Sequence, residues 1–120
     1  MRKFIILSIT LALASCALTP QKLRTSKPVL EQDSLKSPEH MAVCIADGWE
    51  NIDYIIYSPV VGYRPTSSGY EVTQFIDGVL THLADIESDS SGSKVKIYTE
   101  SLNLGKDSAV SAVERCGLEN

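Results

Sequence analysis

The sequence predicts an α+β domain with the order α-β-β-β(-β)-α, in which an antiparallel meander carries an N-terminal and a C-terminal helix on one face. Three observations carry this expectation. Ser37-Pro38 opens a segment whose apolar residues Met41, Cys44, Ile45 and Trp49 recur at helical spacing. The stretch from Ile52 to Glu100 is rich in β-branched and aromatic residues and is punctuated by Asp77-Gly78 and by a Ser/Gly-rich segment. From Asp107 the helical period returns, with Ala109, Ala112, Val113 and Cys116 on one face.

The chain of 120 residues divides into three parts: 1–15, 16–36 and a domain over 37–120. Arg2-Lys3 form a positive start, followed by an apolar run from Phe4 to Ala14 broken only by Ser8 and Thr10. Those eleven residues would rise about 16 Å as a helix, roughly half the hydrocarbon thickness of a bilayer. This is the layout of a cleaved export signal, not of a membrane-spanning helix. Leu13-Ala14-Ser15-Cys16 then resembles the lipobox of bacterial lipoproteins. The resemblance implies that residues 1–15 are removed, that the Cys16 thiol takes diacylglycerol, and that the new amine is acylated, for instance with palmitate. The expected first partner is therefore a lipid bilayer, entered through Cys16. Two or more acyl chains hold a protein stably, at about 0.8 kcal/mol per buried CH₂. By resemblance to the sorting rule of enteric bacteria, Ala17 after that cysteine implies the outer membrane, facing the periplasm.

Residues 17–36 contain Pro20 and Pro28, scattered charges and no sustained period of 2 or 3.6. They read as a flexible tether, with a weak helix over Val29–Leu35 as the one local alternative. Within the domain, Ser37 reads as an N-cap, Pro38 as the first helical position, and the stop falls between Gly48 and Asn51. A strand is expected over Ile52–Val61, weakened by Pro59, which has no donor for a ladder. Gly62 to Gly69 (GYRPTSSG) reads as a loop. Tyr70–Ile76 and Val79–Ile86 flank Asp77-Gly78, the dipeptide suited to a two-residue type I′ turn. Glu87–Ser93 reads as a second hairpin loop and Lys94–Glu100 as the last strand, so the sheet has three or four strands. Asp107 is the expected N-cap of the closing helix and Gly117 its stop.

Charge is uneven. The whole chain carries −4, residues 17–36 carry +2, and residues 37–120 carry −8. An acidic domain is a poor ligand for polyanions, so no nucleic-acid partner is expected. Hydrophobic residues make up 43% of the chain and charged residues 22%, the balance of an ordinary globular domain. With Cys16 consumed by lipid, Cys44 and Cys116 remain, one on the apolar face of each helix. In an exported protein they are expected to pair as a disulfide.

Catalytic signals are sparse. The two histidines, His40 and His82, do not stand in a metal-binding spacing, and no metal ligand set is expected. His82 reads as a sheet-face residue with a satisfied partner. Glu87-Ser88-Asp89 begins like a calcium loop, but Tyr98 stands where the bidentate glutamate belongs. Asp47, Glu50 and Asp53 read as solvated carboxylates at a helix end. No nucleophile elbow, phosphate loop or dinucleotide fingerprint is present, so neither an enzyme nor a cofactor is expected.

The whole pattern resembles small proteobacterial lipoproteins: a lipobox, a Pro-containing spacer, Cys44-Ile45-Ala46-Asp47-Gly48-Trp49-Glu50, a β-meander and a closing helix with Cys116. What remains for function is surface. Strict alternation puts Tyr70, Val72, Ile76, Val79 and Leu83 on one sheet face and Phe75, Leu80, Ala84 and Ile86 on the other. Arg64, Phe75, Leu80 and Ile86 are accordingly the expected partner surface of a protein-binding or structural module in the envelope. Two other roles stay open: an inhibitor of a host or rival enzyme such as lysozyme, inserting 62–69, and a small-ligand binder near Trp49.

Overall fold

In the computed structural model, which describes residues 18–100 and 107–118, the chain runs α1 (Pro20–Leu23), β1 (Leu30–Ser34), α2 (Pro38–Glu50), β2 (Val60–Pro65), β3 (Gly69–Ile76), β4 (Val79–Asp89), β5 (Gly92–Thr99) and α3 (Ser108–Leu118). The expected signal segment 1–15 and Cys16 lie outside the described residues. The five strands form one antiparallel sheet in the order β1-β5-β4-β3-β2. The α+β class is as expected, with one strand more than the expected maximum. The added strand is built from the segment read as a tether.

Local chemistry sets most of the boundaries. Ser37 Oγ accepts the His40 amide at 3.3 Å and Pro38 occupies the first helical position, so α2 starts where the cap predicts. Asp107 Oδ1 accepts the Ala109 amide at 2.9 Å and so caps α3. Asp77 and Gly78 both hold positive φ, 51° and 78°, the backbone that a type I′ turn between β3 and β4 demands. Four boundaries differ from the reading. The expected loop 87–93 is mostly strand, because β4 runs to Asp89 and β5 starts at Gly92, leaving Ser90-Ser91 as the turn. The expected strand at 52–61 begins only at Val60, because Pro59 and a tight turn closed by Tyr57 N to Tyr54 O (3.0 Å) occupy the stretch before it. The expected loop 62–69 is mostly strand: Gly62 to Pro65 pair with Thr73 to Tyr70, leaving Thr66 to Ser68 as the turn. Gly117 does not stop α3 but lies inside it, where a Cβ would occupy the place of the Gln32 side-chain amide.

α2 and α3 cover one face of the sheet. Met41, Ala42, Ile45, Ala46 and Trp49 from α2 and Ala109, Ala112, Val113 and Cys116 from α3 pack on Val72, Ala84, Ile86, Val95 and Ile97. Cys44 and Cys116 are joined by a disulfide with Cα atoms 5.9 Å apart, closing a separation of 72 residues. In the chain-entropy description a loop of that length stabilises by about 4 kcal/mol.

The two faces do not divide by simple alternation. Gln74 pairs with His82 but Phe75 pairs with Leu80, so Thr81 is an extra residue in β4. The bulge turns Leu80 onto the face of Leu83, where alternation had separated them. Leu80 and Leu83 join Tyr98 and Leu23 in a second apolar cluster, with Leu18 and Phe75 against it.

Leu23 shows why the tether reading fails for residues 20–34. This leucine is fully buried against the sheet face opposite α2 and α3. Thr19 caps its short helix, with Oγ1 accepting the Lys22 amide at 3.2 Å. After a turn the chain adds β1 to the free side of β5, with Glu31 opposite Lys96 and Asp33 opposite Lys94. Five strand residues and one helical turn are too short for a period to emerge, and their stabilising contacts are distant in sequence.

Candidate functional site

Two polar constellations stand out, one on each face. On the helix-covered side, His82 Nε2 donates to Asp107 Oδ2 at 2.7 Å. His82 is 4% exposed, and its ring lies tilted against Trp49, centroids 5.8 Å apart. Asp107 thus uses one oxygen to cap α3 and the other to tie that cap to β4. Burial acts to raise the Asp107 carboxyl, but the hydrogen bond and charge of His82 and the Ala109 and Val110 amides outweigh it and hold it below the usual range. The fully buried Gln74 amide places Nε2 within 3.1 Å of His82 Nδ1, 3.2 Å of the Tyr54 hydroxyl and 3.0 Å of Thr81 Oγ1, while its Oε1 has no hydrogen-bond partner. Burial pushes the Tyr54 hydroxyl up, opposed by the Gln74 contact.

A His–Asp pair can serve as a catalytic base when a nucleophile stands on its free ring nitrogen. Here Nδ1 meets an amide, and the pair is sealed under Trp49, whose indole N–H donates to the Ala109 carbonyl at 2.9 Å. The arrangement joins a helix start to a sheet. Sequence reading expected a partner for His82 but had no signal for Gln74, because the bulge at Thr81 brings the two together. His40 is exposed in the first turn of α2.

On the opposite face a row of charges crosses all five strands: Arg64 on β2, Glu71 on β3, Asp85 on β4, Lys96 on β5 and Glu31 on β1 stand directly opposite one another in register. Glu71 and Asp85 are like charges in adjacent strands, an arrangement that repels. Arg24 lies over both. It grips Asp85 with Nε and Nη2, each at 2.7 Å, and Nη2 also donates to Glu71. Arg64 reaches Glu71 from the other side at 3.0 Å. The Asp85 hydrogen bond first, and then Glu71, hold Arg24 more firmly protonated than usual despite the opposing effect of burial. Burial acts to raise the Glu71 carboxyl, yet the hydrogen bonds from Arg24 and Arg64 leave it lowered.

Beyond this row, at the end of the sheet where β2 turns into β3, lies an open cleft of about 380 Å³. Arg24, Arg64, Asp85 and Glu87 border it together with the hydroxyl-bearing turn Thr66-Ser67-Ser68 and Tyr70. The Arg64 side chain is 63% exposed.

The expected surface of Arg64, Phe75, Leu80 and Ile86 is not one surface. Ile86 is buried under α2 and α3, whereas Leu80 is buried and Phe75 half-buried on the opposite face. Only Arg64 is open. Both sheet faces are therefore covered in their apolar parts. The most exposed large apolar side chains among the described residues, which sequence reading missed, include an adjacent pair in the turn before β2: Ile55 is 97% exposed and Ile56 82%. Their signal was a run of apolar residues, which a strand explained equally well. Trp49 is wholly enclosed, so the expected ligand site beside it has no opening among the described residues.

Among the described residues no group of three or more His, Cys, Asp or Glu side chains is placed to hold a metal, and no helix is long and apolar enough to cross a membrane. Comparison with models of known families, with curated proteins and with solved structures finds no match to this chain.

Proposed function

We propose that the protein is a non-enzymatic lipoprotein of the bacterial envelope, acylated at Cys16 and placed in the outer membrane facing the periplasm, whose domain offers its cleft to a protein partner. The observation that carries the partner reading is the cleft at the β2–β3 turn. Its walls are polar and open, with an exposed guanidinium, three hydroxyl residues and a tyrosine, a lining that suits a polypeptide segment better than an apolar metabolite. It also lies beside β2, an edge strand whose outer side has no strand partner among the described residues, so an extended segment can add to the sheet there. An inhibitor role built on insertion of 62–69 has less to support it, because those residues form a strand and a three-residue turn rather than a protruding loop.

The test is site-specific photocross-linking from Ser67 in cells making the full chain, with the mass of the mature protein measured in parallel. The expected result is an acylated N-terminal Cys16 and a discrete envelope adduct that Arg64→Ala weakens. An adduct equally strong in Arg64→Ala, or none, would remove the cleft from consideration. A mature chain without fatty acid would remove the anchor.

A further inference from the structure

We infer that the Ile55-Ile56 turn is a second membrane contact, which docks on the bilayer entered by the acyl chains of Cys16 and thereby orients the domain. The inference rests on the lipid-anchor reading above.

The turn is built to present these side chains. Tyr57 N donates to Tyr54 O at 3.0 Å, closing it, and the Tyr54 hydroxyl accepts from Gln74 Nε2 at 3.2 Å, fastening it to β3. Two consecutive isoleucines are thus held out in solvent by a pinned backbone. Tyr57, Val60 and Val79 are exposed as well. Register places these at one end of the sheet: Val60 stands opposite Phe75, Phe75 opposite Leu80, and Val79 opposite Ile76 beside the Asp77-Gly78 turn. Isolated exposed apolar residues need no explanation, but a cluster at one end does.

The position of the N-terminus identifies the occupant. Leu18, the first described residue, packs against the cluster of Leu23, Leu80, Leu83 and Tyr98, in the same half of the sheet as Val60 and Val79. From β4 to β2 is two strand spacings, about 10 Å. Two residue steps separate Leu18 from Cys16, a reach of at most about 7 Å. Acyl chains on Cys16 therefore bring the bilayer surface to the end of the sheet that carries the isoleucines. Between Asn51 and Tyr63 there is no Lys or Arg, while Glu50 and Asp53 lie close by in sequence and Asp77 sits in the turn just before Val79. Attraction to anionic lipid is thereby disfavoured, and the contact is apolar burial into zwitterionic headgroups with Tyr57 at the interface. The cleft then faces away from the membrane, since Thr66-Ser67-Ser68 lies beyond the far end of β2, about 17 Å along the strand.

The experiment places a tryptophan at the turn, Ile55→Trp, in the full acylated protein reconstituted into phosphatidylcholine–phosphatidylethanolamine vesicles that contain bromolipids. Trp49, the only native tryptophan, is wholly buried and supplies a constant background. Emission from position 55 is expected to shift to the blue and to be quenched, unchanged by high salt, and Ile56→Trp is expected to behave alike. Emission from Ser67→Trp is expected to be unquenched. Position 55 unquenched on protein retained by the vesicles, or positions 55 and 67 quenched equally, overturns the docking while leaving the anchor intact. Shielding that grows with protein concentration assigns the patch to a second copy and overturns it as well. Protein that lacks an acyl group and is not retained by vesicles overturns the anchor reading itself.

Discussion

On one face of the sheet, α2 and α3 bury a continuous apolar layer and a disulfide ties them together; on the other, Leu23 fills an apolar patch and Arg24 bridges two facing carboxylates. The first face is held by elements whose own periodicity marks them as amphipathic. The second is held by a short segment with no period at all, whose partners Glu71 and Asp85 lie 47 and 61 residues away. The same sheet therefore shows how burial can be distributed along helices or concentrated in single side chains. The two arrangements differ in how they should fail.

The largest expected loss is on the helix-covered face. Replacing both Cys44 and Cys116 by Ser should lower unfolding stability by about 4 kcal/mol, read as a fall in the urea midpoint. A change below about 1 kcal/mol would mean that packing of α2 on α3 holds the helices without the cross-link. The opposite face should break next. Leu23→Ala removes a fully buried leucine, and such truncations cost roughly 2–5 kcal/mol. The value here should sit near the lower limit, because the short α1 can settle or lift where a helix of the main core cannot. A flexible tether would give no change at all, so this substitution separates a packed strap from a spacer.

These two variants also mark where sequence reading succeeds and stops. α2 and α3 were legible because Ser37 and Asp107 accept amides two or three residues on, Pro38 suits the first helical position, and the apolar residues repeat within one element. The β3–β4 turn was legible because Asp77-Gly78 meets a local demand for positive φ. The disulfide followed from counting thiols. By contrast, β1 exists only because β5 has an unpaired side, and no residue in Leu30–Ser34 announces that. The partner surface was misplaced for a related reason: one extra residue, Thr81, reverses the facing of everything after it, and alternation carries no mark of a bulge.

Charge gives a smaller and pH-dependent test of the second face. Arg24→Met leaves Glu71, which is 4% exposed, facing Asp85 with Arg64 still paired to it, at an expected cost of about 2 kcal/mol at neutral pH. The sign of the pH effect follows from the direction of the shifts. Glu71 and Asp107 are both held below their ordinary values of 4.5 and 3.8. Their stabilising contribution is complete above those values and is lost as pH falls through the lower folded ones, so the native protein should weaken in acid. In Arg24→Met, protonating Glu71 relieves a repulsion instead. The stability gap between the two proteins should narrow as pH drops below about 4.5. A gap that stays constant with pH would show that Arg24 acts through packing of its stem and not through its charge.

The smallest expected effect concerns the exposed Ile55-Ile56 pair, which packs on neither face. Ile55→Ser with Ile56→Ser changes side chains that are 97% and 82% exposed, so the fold has almost no contact to lose. Unfolding stability should stay within about 0.5 kcal/mol of the native protein, the usual range for surface sites. The contrast with Leu23→Ala is informative because the residues are chemically similar and the environments are opposite. A leucine that the sheet needs is enclosed, whereas two isoleucines that the sheet does not need are fixed in the open by the Tyr54–Tyr57 turn. A marked loss of stability in the double variant would mean that these side chains are folded inward in solution and serve no surface outside the domain.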